Sequence, residues 1–221
     1  MGTAYRPSMV PLVVGFDLDM TLVDSRPGIL ATLAALEAET GAPVTSDDMA
    51  DALLRRNLDL EFADRFATAD AERWADRFRE LYVDHGVPGT DLLPGARAAT
   101  AAVHAAGGRV VVITAKYEPN ARRCLDQVEL LVGRDVDAVF GWRYADGKAE
   151  TLIAEGASLY VGDTPNDVRA AHLADAAVVA VATGPHSADE LRDAGATVVL
   201  DSLEAFPTWL TGWRRDRAEL G

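Results

Sequence analysis

Two aspartates, Asp17 and Asp19, stand one residue apart at the end of an apolar run, VVGFDLDMTLVD over residues 13–24. Two more, Asp163 and Asp167, follow a second such run in YVGDTPND. Gathered carboxylates repel one another: two unit charges about 4 Å apart cost roughly 4 kcal/mol at an effective dielectric near 20. Convergence of Asp17, Asp163 and Asp167 therefore calls for protonation or for a cation among them. An all-oxygen donor set without histidine or thiol suits Mg2+, which also binds phosphate oxygens. The four histidines, His85, His104, His172 and His186, have no metal-site spacing.

With a cation present, the opening pair can divide the steps of phosphoryl transfer. Asp17 has the chemistry to attack phosphorus in line and form an aspartyl-phosphate. Asp19 can protonate the leaving oxygen and later accept a proton from the water that opens the intermediate. The phosphoryl oxygens need donors, and VVVITAK brings the Thr114 hydroxyl and the Ala115 backbone to the end of another apolar run. Lys148 is the remaining donor. All but two of the 21 basic residues are arginine, the exceptions being Lys116 and Lys148. A compact ammonium can touch a carboxylate and a phosphoryl oxygen together, where a guanidinium fork is bulky.

These groups need elements that bring them to one place. Six apolar, β-rich runs are legible at 12–16, 109–114, 136–140, 158–162, 177–181 and 197–200. From the second onward, helical stretches alternate with them, which predicts a doubly wound, Rossmann-like parallel α/β sheet covered on both faces. In such sheets ligands bind beyond the carboxyl ends of the strands, where Asp17, Thr114 and Asp163 fall. Residues 25–90 have no strand pattern. A helix opens near Ser25 and Pro27, and Thr45–Asp48 (TSDD) has the spacing of a capping box opening a second. Trp74, Phe78, Leu81 and Tyr82 form a core stripe at helical spacing. The expected organisation is an α/β core of residues 1–24 and 91–221, with a small all-α cap domain, 25–90, over the strand ends. The tail is expected to be a helix packing Trp209 and Trp213.

The cap is also where selectivity belongs, because the sheet edge meets only the phosphoryl group and the metal. Arg55 and Arg56, between two helices, and Lys116, just after Thr114, are the candidate contacts to the leaving group.

Composition narrows the partners. A net charge of -14 lacks the basic face that a nucleic-acid backbone requires, while a small phosphorylated metabolite needs only local positive charge. No run reaches membrane length, and the amino end reads as a strand and not a signal peptide. One cysteine, Cys124, cannot close an internal disulfide, which fits a cytoplasmic setting. A monomer or homodimer is expected.

The motifs together resemble the haloacid dehalogenase-like superfamily, in particular its phosphoglycolate-phosphatase-like branch. FDLDMTLVDS is similar to the first motif, VITAK to the second, Lys148 to the third-motif lysine and GDTPND to the fourth. The resemblance implies Asp17 as nucleophile, Asp19 as acid/base, and Thr114 and Lys148 as phosphate ligands. It implies Mg2+ held by Asp17 and Asp163 with the main-chain carbonyl of Asp19, and Asp167 as a metal or water ligand. Thr21 would support the turn. Close phosphoglycolate enzymes read T-N-K and K-P-x-P where this chain has TAK and KAET, differences that bear on the substrate. A Mg2+-dependent phosphomonoesterase is the leading expectation. An intramolecular phosphoryl mutase of the β-phosphoglucomutase type would use the same residues. A receiver-like phospho-acceptor module would need neither the cap nor Asp19.

Overall fold

Alternation within short strands decides which side of the sheet each residue covers, and so where the helices must lie. The computed structural model describes residues 11–220; the reading of the first ten residues lies outside them. Six strands, β1 (Val13–Phe16), β4 (Arg109–Ile113), β5 (Ala138–Phe140), β6 (Leu159–Gly162), β7 (Ala177–Val181) and β8 (Val199–Leu200), form one sheet. Their order is β5-β4-β1-β6-β7-β8, every neighbouring pair parallel. The chain runs outward from β1 in one direction through β4 and β5, then restarts on the other side with β6. β1 is thus the switch point, with the ends of β4 and β6 beside it.

On one face, Val14, Phe16, Val110, Val112 and Val161 pack against α5 (Ala96–Ala105), α6 (Glu118–Gln127) and the carboxyl-terminal α10 (Phe206–Leu220). Phe16 and Phe206 meet edge to face, ring centroids 5.5 Å apart, and Trp209 and Trp213 close that side as the sequence suggests. On the other face, Val13, Val111, Ile113 and Tyr160 meet α7 (Asp146–Glu155), α8 (Pro165–Leu173) and α9 (Ala188–Asp193). Gly15 is required there: a Cβ would lie 2.8 Å from the Tyr160 ring.

Between β1 and β4 the chain is mostly helical: α1 (Arg26–Thr40), α2 (Asp47–Arg55), α3 (Leu58–Arg65) and α4 (Thr68–Leu81), followed by a π-helical turn, Tyr82–Gly86. These pack around their own apolar cluster of Leu33, Leu36, Met49, Phe62, Phe78 and Tyr82, to which Cys124 of α6 adds its thiol. The TSDD reading needs a correction by one residue. Ser46, not Thr45, is the N-cap of α2, and its hydroxyl accepts from Met49 N at 3.1 Å. The first turn then carries both Asp47 and Asp48, favourable at the positive end of a helix.

A second feature was not expected. The chain leaves and re-enters the sheet through a two-stranded antiparallel ribbon, β2 (Val23–Asp24) with β3 (Asp91–Leu92). Two-residue strands carry no periodicity for a sequence pattern to detect. None of the helices among the described residues is long and apolar enough to cross a membrane.

Candidate active site

Three adjacent strand ends build the site. β1 delivers Asp17, whose backbone N–H donates to Val161 O of β6 at 2.8 Å and so fixes the side chain at the switch point. β6 ends at Gly162, and Asp163 follows it; α8 then opens on Thr164. Here the capping box is realised: Thr164 Oγ1 accepts from Asp167 N, while Asp167 Oδ2 accepts from Thr164 N at 3.0 Å and from its hydroxyl at 2.7 Å. Helix capping thereby turns Asp167 back toward the strand ends. Gly162 leaves it room, since a Cβ there would come within 2.4 Å of Asp167 Cβ.

Lys148, from the first turn of α7, reaches into this cluster. Its Nζ lies 3.0 Å from Asp17 Oδ2 and 2.6 Å from Asp167 Oδ1, with all three side chains buried. Burial alone would lower the lysine, but the Asp167 and Asp17 carboxylates more than compensate and hold it charged. Asp17 is pushed up to about 7, by burial first, with Lys148 opposing and the charges of Asp167 and Asp19 adding to the rise. Asp163 is also raised well above the usual carboxylate range, by burial and then by Asp167 and Asp17. It accepts from Thr21 Oγ1 at 3.2 Å, which ties the turn after β1 to the end of β6.

One lysine is too little positive charge for three buried carboxylates. Carboxylate oxygens of Asp17, Asp163 and Asp167 lie within 4.8 Å of one another. Asp17 Oδ1 is buried with no hydrogen-bond partner among the described residues. An orphaned acceptor inside an oxygen-only cluster fits a divalent cation.

Asp19 stands apart from this group. Its Oδ1 accepts from Lys116 Nζ at 2.8 Å, and the same ammonium lies 4.3 Å over the ring of Tyr82. Thr114 is buried at the end of β4, its hydroxyl accepting from Lys116 N at 3.2 Å, and Ala115 lines the same cleft.

The two arginines expected to select substrate also line the cleft, but their charge is engaged. Arg55 donates to Pro185 O, lies 3.1 Å from His186 Nδ1 and pairs with Glu190, joining α2 to the loop after β7. Arg56 pairs with Asp64 and Glu61. Other lining residues were not singled out from sequence as part of the site: Arg79, Tyr117, Trp142 and Tyr144, with Tyr82, which was read as core. The signal for two of them was the aromatic run FGWRYADGK, which follows an apolar strand at the sheet edge where ligands sit.

A doubly wound α/β sheet whose switch point gathers carboxylates, a buried lysine and a strand-end threonine defines a phosphoryl-handling enzyme class. The chain belongs to the haloacid dehalogenase-like hydrolases, whose family model matches residues 14–172, and a related hydrolase-like model matches 143–206. Within that superfamily it is a phosphoglycolate-phosphatase-like enzyme. It is 30% identical over 223 residues to the phosphoglycolate phosphatase of Rhodospirillum rubrum, covering 91% of each chain. It is 29% identical to the tyrosine-protein kinase PtkA of Mycobacterium tuberculosis over 89% of this chain and 70% of that one. A predicted phosphatase from Clostridium acetobutylicum has the same fold, with a TM-score of 0.79 at 20% identity over 92% of this chain and all of the other.

Proposed function

We propose that the chain is a Mg2+-dependent phosphomonoesterase acting on a small phosphorylated metabolite through an aspartyl-phosphate at Asp17. The observation that carries this reading is the bridging of Asp17 and Asp167 by Lys148 while the second oxygen of Asp17 stays buried and without a partner among the described residues. A carboxylate tied down through one oxygen is oriented, and the lone pairs of its other oxygen are left for the cation and for phosphorus.

Asp17 attacks phosphorus and the bond to the leaving oxygen breaks, that oxygen taking a proton from Asp19. Water then attacks the phosphoryl group, Asp19 receives its proton, and the acyl-phosphate bond breaks to free Asp17 and inorganic phosphate. Lys148, the Thr114 hydroxyl and the Ala115 amide hold the phosphoryl oxygens as charge shifts among them. Asp17, Asp163 and Asp167, with the Asp19 main-chain carbonyl, are the residues that would hold Mg2+, which supplies neutralisation of the gathered charge. Residues 25–90 act as a cap domain on a core of 1–24 and 91–221, excluding bulk water from the acyl-phosphate. The buried lone thiol of Cys124 fits a cytoplasmic setting. Neither a mutase nor a receiver module is favoured by the relatives. The similarity to a tyrosine kinase fits a shared capacity to move a phosphoryl group, with water as the acceptor here.

The test is phosphate release from a panel of phosphorylated metabolites with and without Mg2+. Release that needs Mg2+ and is abolished by chelator supports the proposal; robust release in chelator overturns it.

A further inference from the structure

The cleft over the phosphoryl centre is walled in part by Tyr117, Trp142 and Tyr144. We propose that the leaving group of its substrate is a planar, uncharged aromatic group seated against Trp142 and Tyr117. The inference rests on the phosphatase reading above for the position of the phosphoryl group, and it commits that reading to a substrate class.

Trp142 carries the argument. It follows β5, is 59% exposed, and holds a left-handed backbone at φ 54°. Positive φ is uncommon for a bulky side chain and persists where surrounding contacts impose it. Those contacts come from the loop that bears the phosphate-binding threonine. Trp142 N donates to Lys116 O at 2.9 Å, and Arg143 N donates to Thr114 O at 2.9 Å. Gly141 presses so close to α6 that a Cβ would lie 2.4 Å from Glu118 Cα. The fold thus holds a large apolar ring in water, at the mouth of the cleft, in register with Thr114.

Around the indole the chemistry favours a second π system. Tyr117 tilts toward it with ring centroids 5.6 Å apart, and the Arg79 guanidinium lies 5.3 Å from the indole centroid. The Tyr117–Trp142 separation falls within the range of roughly 4.5–7 Å over which aromatic pairs attract. Farther in, Ile29, Leu53, Leu54, Leu58 and Phe78 line the cleft.

The cations argue the same way. Outside the phosphoryl centre the cleft is lined by Arg55, Arg56, Arg79 and Lys116. Arg55 is engaged by the loop after β7, Arg56 by Asp64, Arg79 by Asp59 and Asp76, and Lys116 by Asp19. A carboxylate on the leaving group, as in phosphoglycolate, would compete with these partners for the same cations. An uncharged ring displaces only water from Trp142 and Tyr117.

The test measures binding and turnover separately on the full chain with Mg2+. Non-hydrolysable benzylphosphonate, ethylphosphonate and phosphonoacetate are titrated by calorimetry into wild type, Trp142→Ala, Trp142→Phe and Tyr117→Ala. Benzylphosphonate is expected to bind about tenfold tighter than ethylphosphonate, a preference that largely collapses in Trp142→Ala and survives in Trp142→Phe. Tyr117→Ala, which leaves the positive-φ residue in place, should weaken the same preference. The kcat/KM values for benzyl phosphate, ethyl phosphate and 2-phosphoglycolate, whose leaving groups are all alkoxides, should follow that order of preference for the ring. Equal binding of the three phosphonates, or a preference unmoved by all three variants, overturns the aromatic subsite. Selective binding without turnover of any ester keeps the subsite and removes the phosphatase reading; turnover without selectivity does the reverse.

Discussion

Lys116 donates to Asp19 Oδ1 at 2.8 Å, tying the loop after β4 to the loop after β1. The lysine expected to select substrate instead holds the proposed acid/base. It is nearly buried, and although burial alone would lower it, Asp19 and then Tyr82 hold it above its ordinary range, so it stays charged.

Removing that ammonium should injure the proton-transfer role more than the attack on phosphorus. Lys116→Met is expected to lower kcat for an alkyl phosphate by about a hundredfold, the lower end of the range attributed to a positioned acid or base. An aryl ester with a good leaving group needs little protonation, so its phosphorylation step should fall much less. Pre-steady-state rates for the two esters check this; equal losses would show that Lys116 does not act through Asp19.

Asp17 and Asp163 are both raised in the folded protein, so without a divalent cation they hold protons that the unfolded chain has already released. Their contribution to stability therefore falls as pH rises from about 4 through about 7, the Asp17 value. In chelator, the Tm of wild type should drop relative to Asp17→Asn between pH 5 and pH 8, by an amount on the order of a few kcal/mol in stability. Mg2+ should remove most of that drop, because it binds the ionised form. A wild-type Tm that rises relative to the variant in chelator would reverse the sign and contradict the burial argument.

Gly184 tests the cation cluster from outside the carboxylates. A Cβ at this position would stand 1.8 Å from Asp163 Oδ2, so Gly184→Ala must displace that carboxylate. The Mg2+ concentration for half-maximal activity should rise about tenfold or more, as for other perturbed metal surroundings. Gly147→Ala is the control, with nothing nearer to its Cβ than Arg143 Cδ at 3.8 Å. An unchanged Mg2+ requirement in Gly184→Ala would separate Asp163 from the cation.

The sheet was legible because its strands are continuous apolar runs, and the site because parallel strands bring their carboxyl ends to one edge. Asp17, Asp163, Asp167 and Lys148 meet as their spacing predicts. What sequence spacing could not give were relationships set by side-chain reach across elements. Arg55 and Arg56 were read as candidate contacts to the leaving group, yet each finds partners the linear pattern does not reveal, one at Pro185 and Glu190 and one in α3. Trp142 escaped notice because an aromatic run after a strand does not tell which ring is exposed; its positive φ and exposure exist only in three dimensions. The β2–β3 ribbon was too short to leave a pattern.

The central claim is covalent catalysis by Asp17, and the most direct measurement is acid-quenched intact-mass and peptide analysis during turnover. Wild type mixed with Mg2+ and a phosphate ester should show a transient gain of one phosphoryl group. It should be labile to hydroxylamine, located on the peptide containing Asp17, and absent from Asp17→Asn, which also releases no phosphate. Phosphate release by Asp17→Asn at the wild-type rate, or steady turnover with phosphorylation on another residue, would contradict the account.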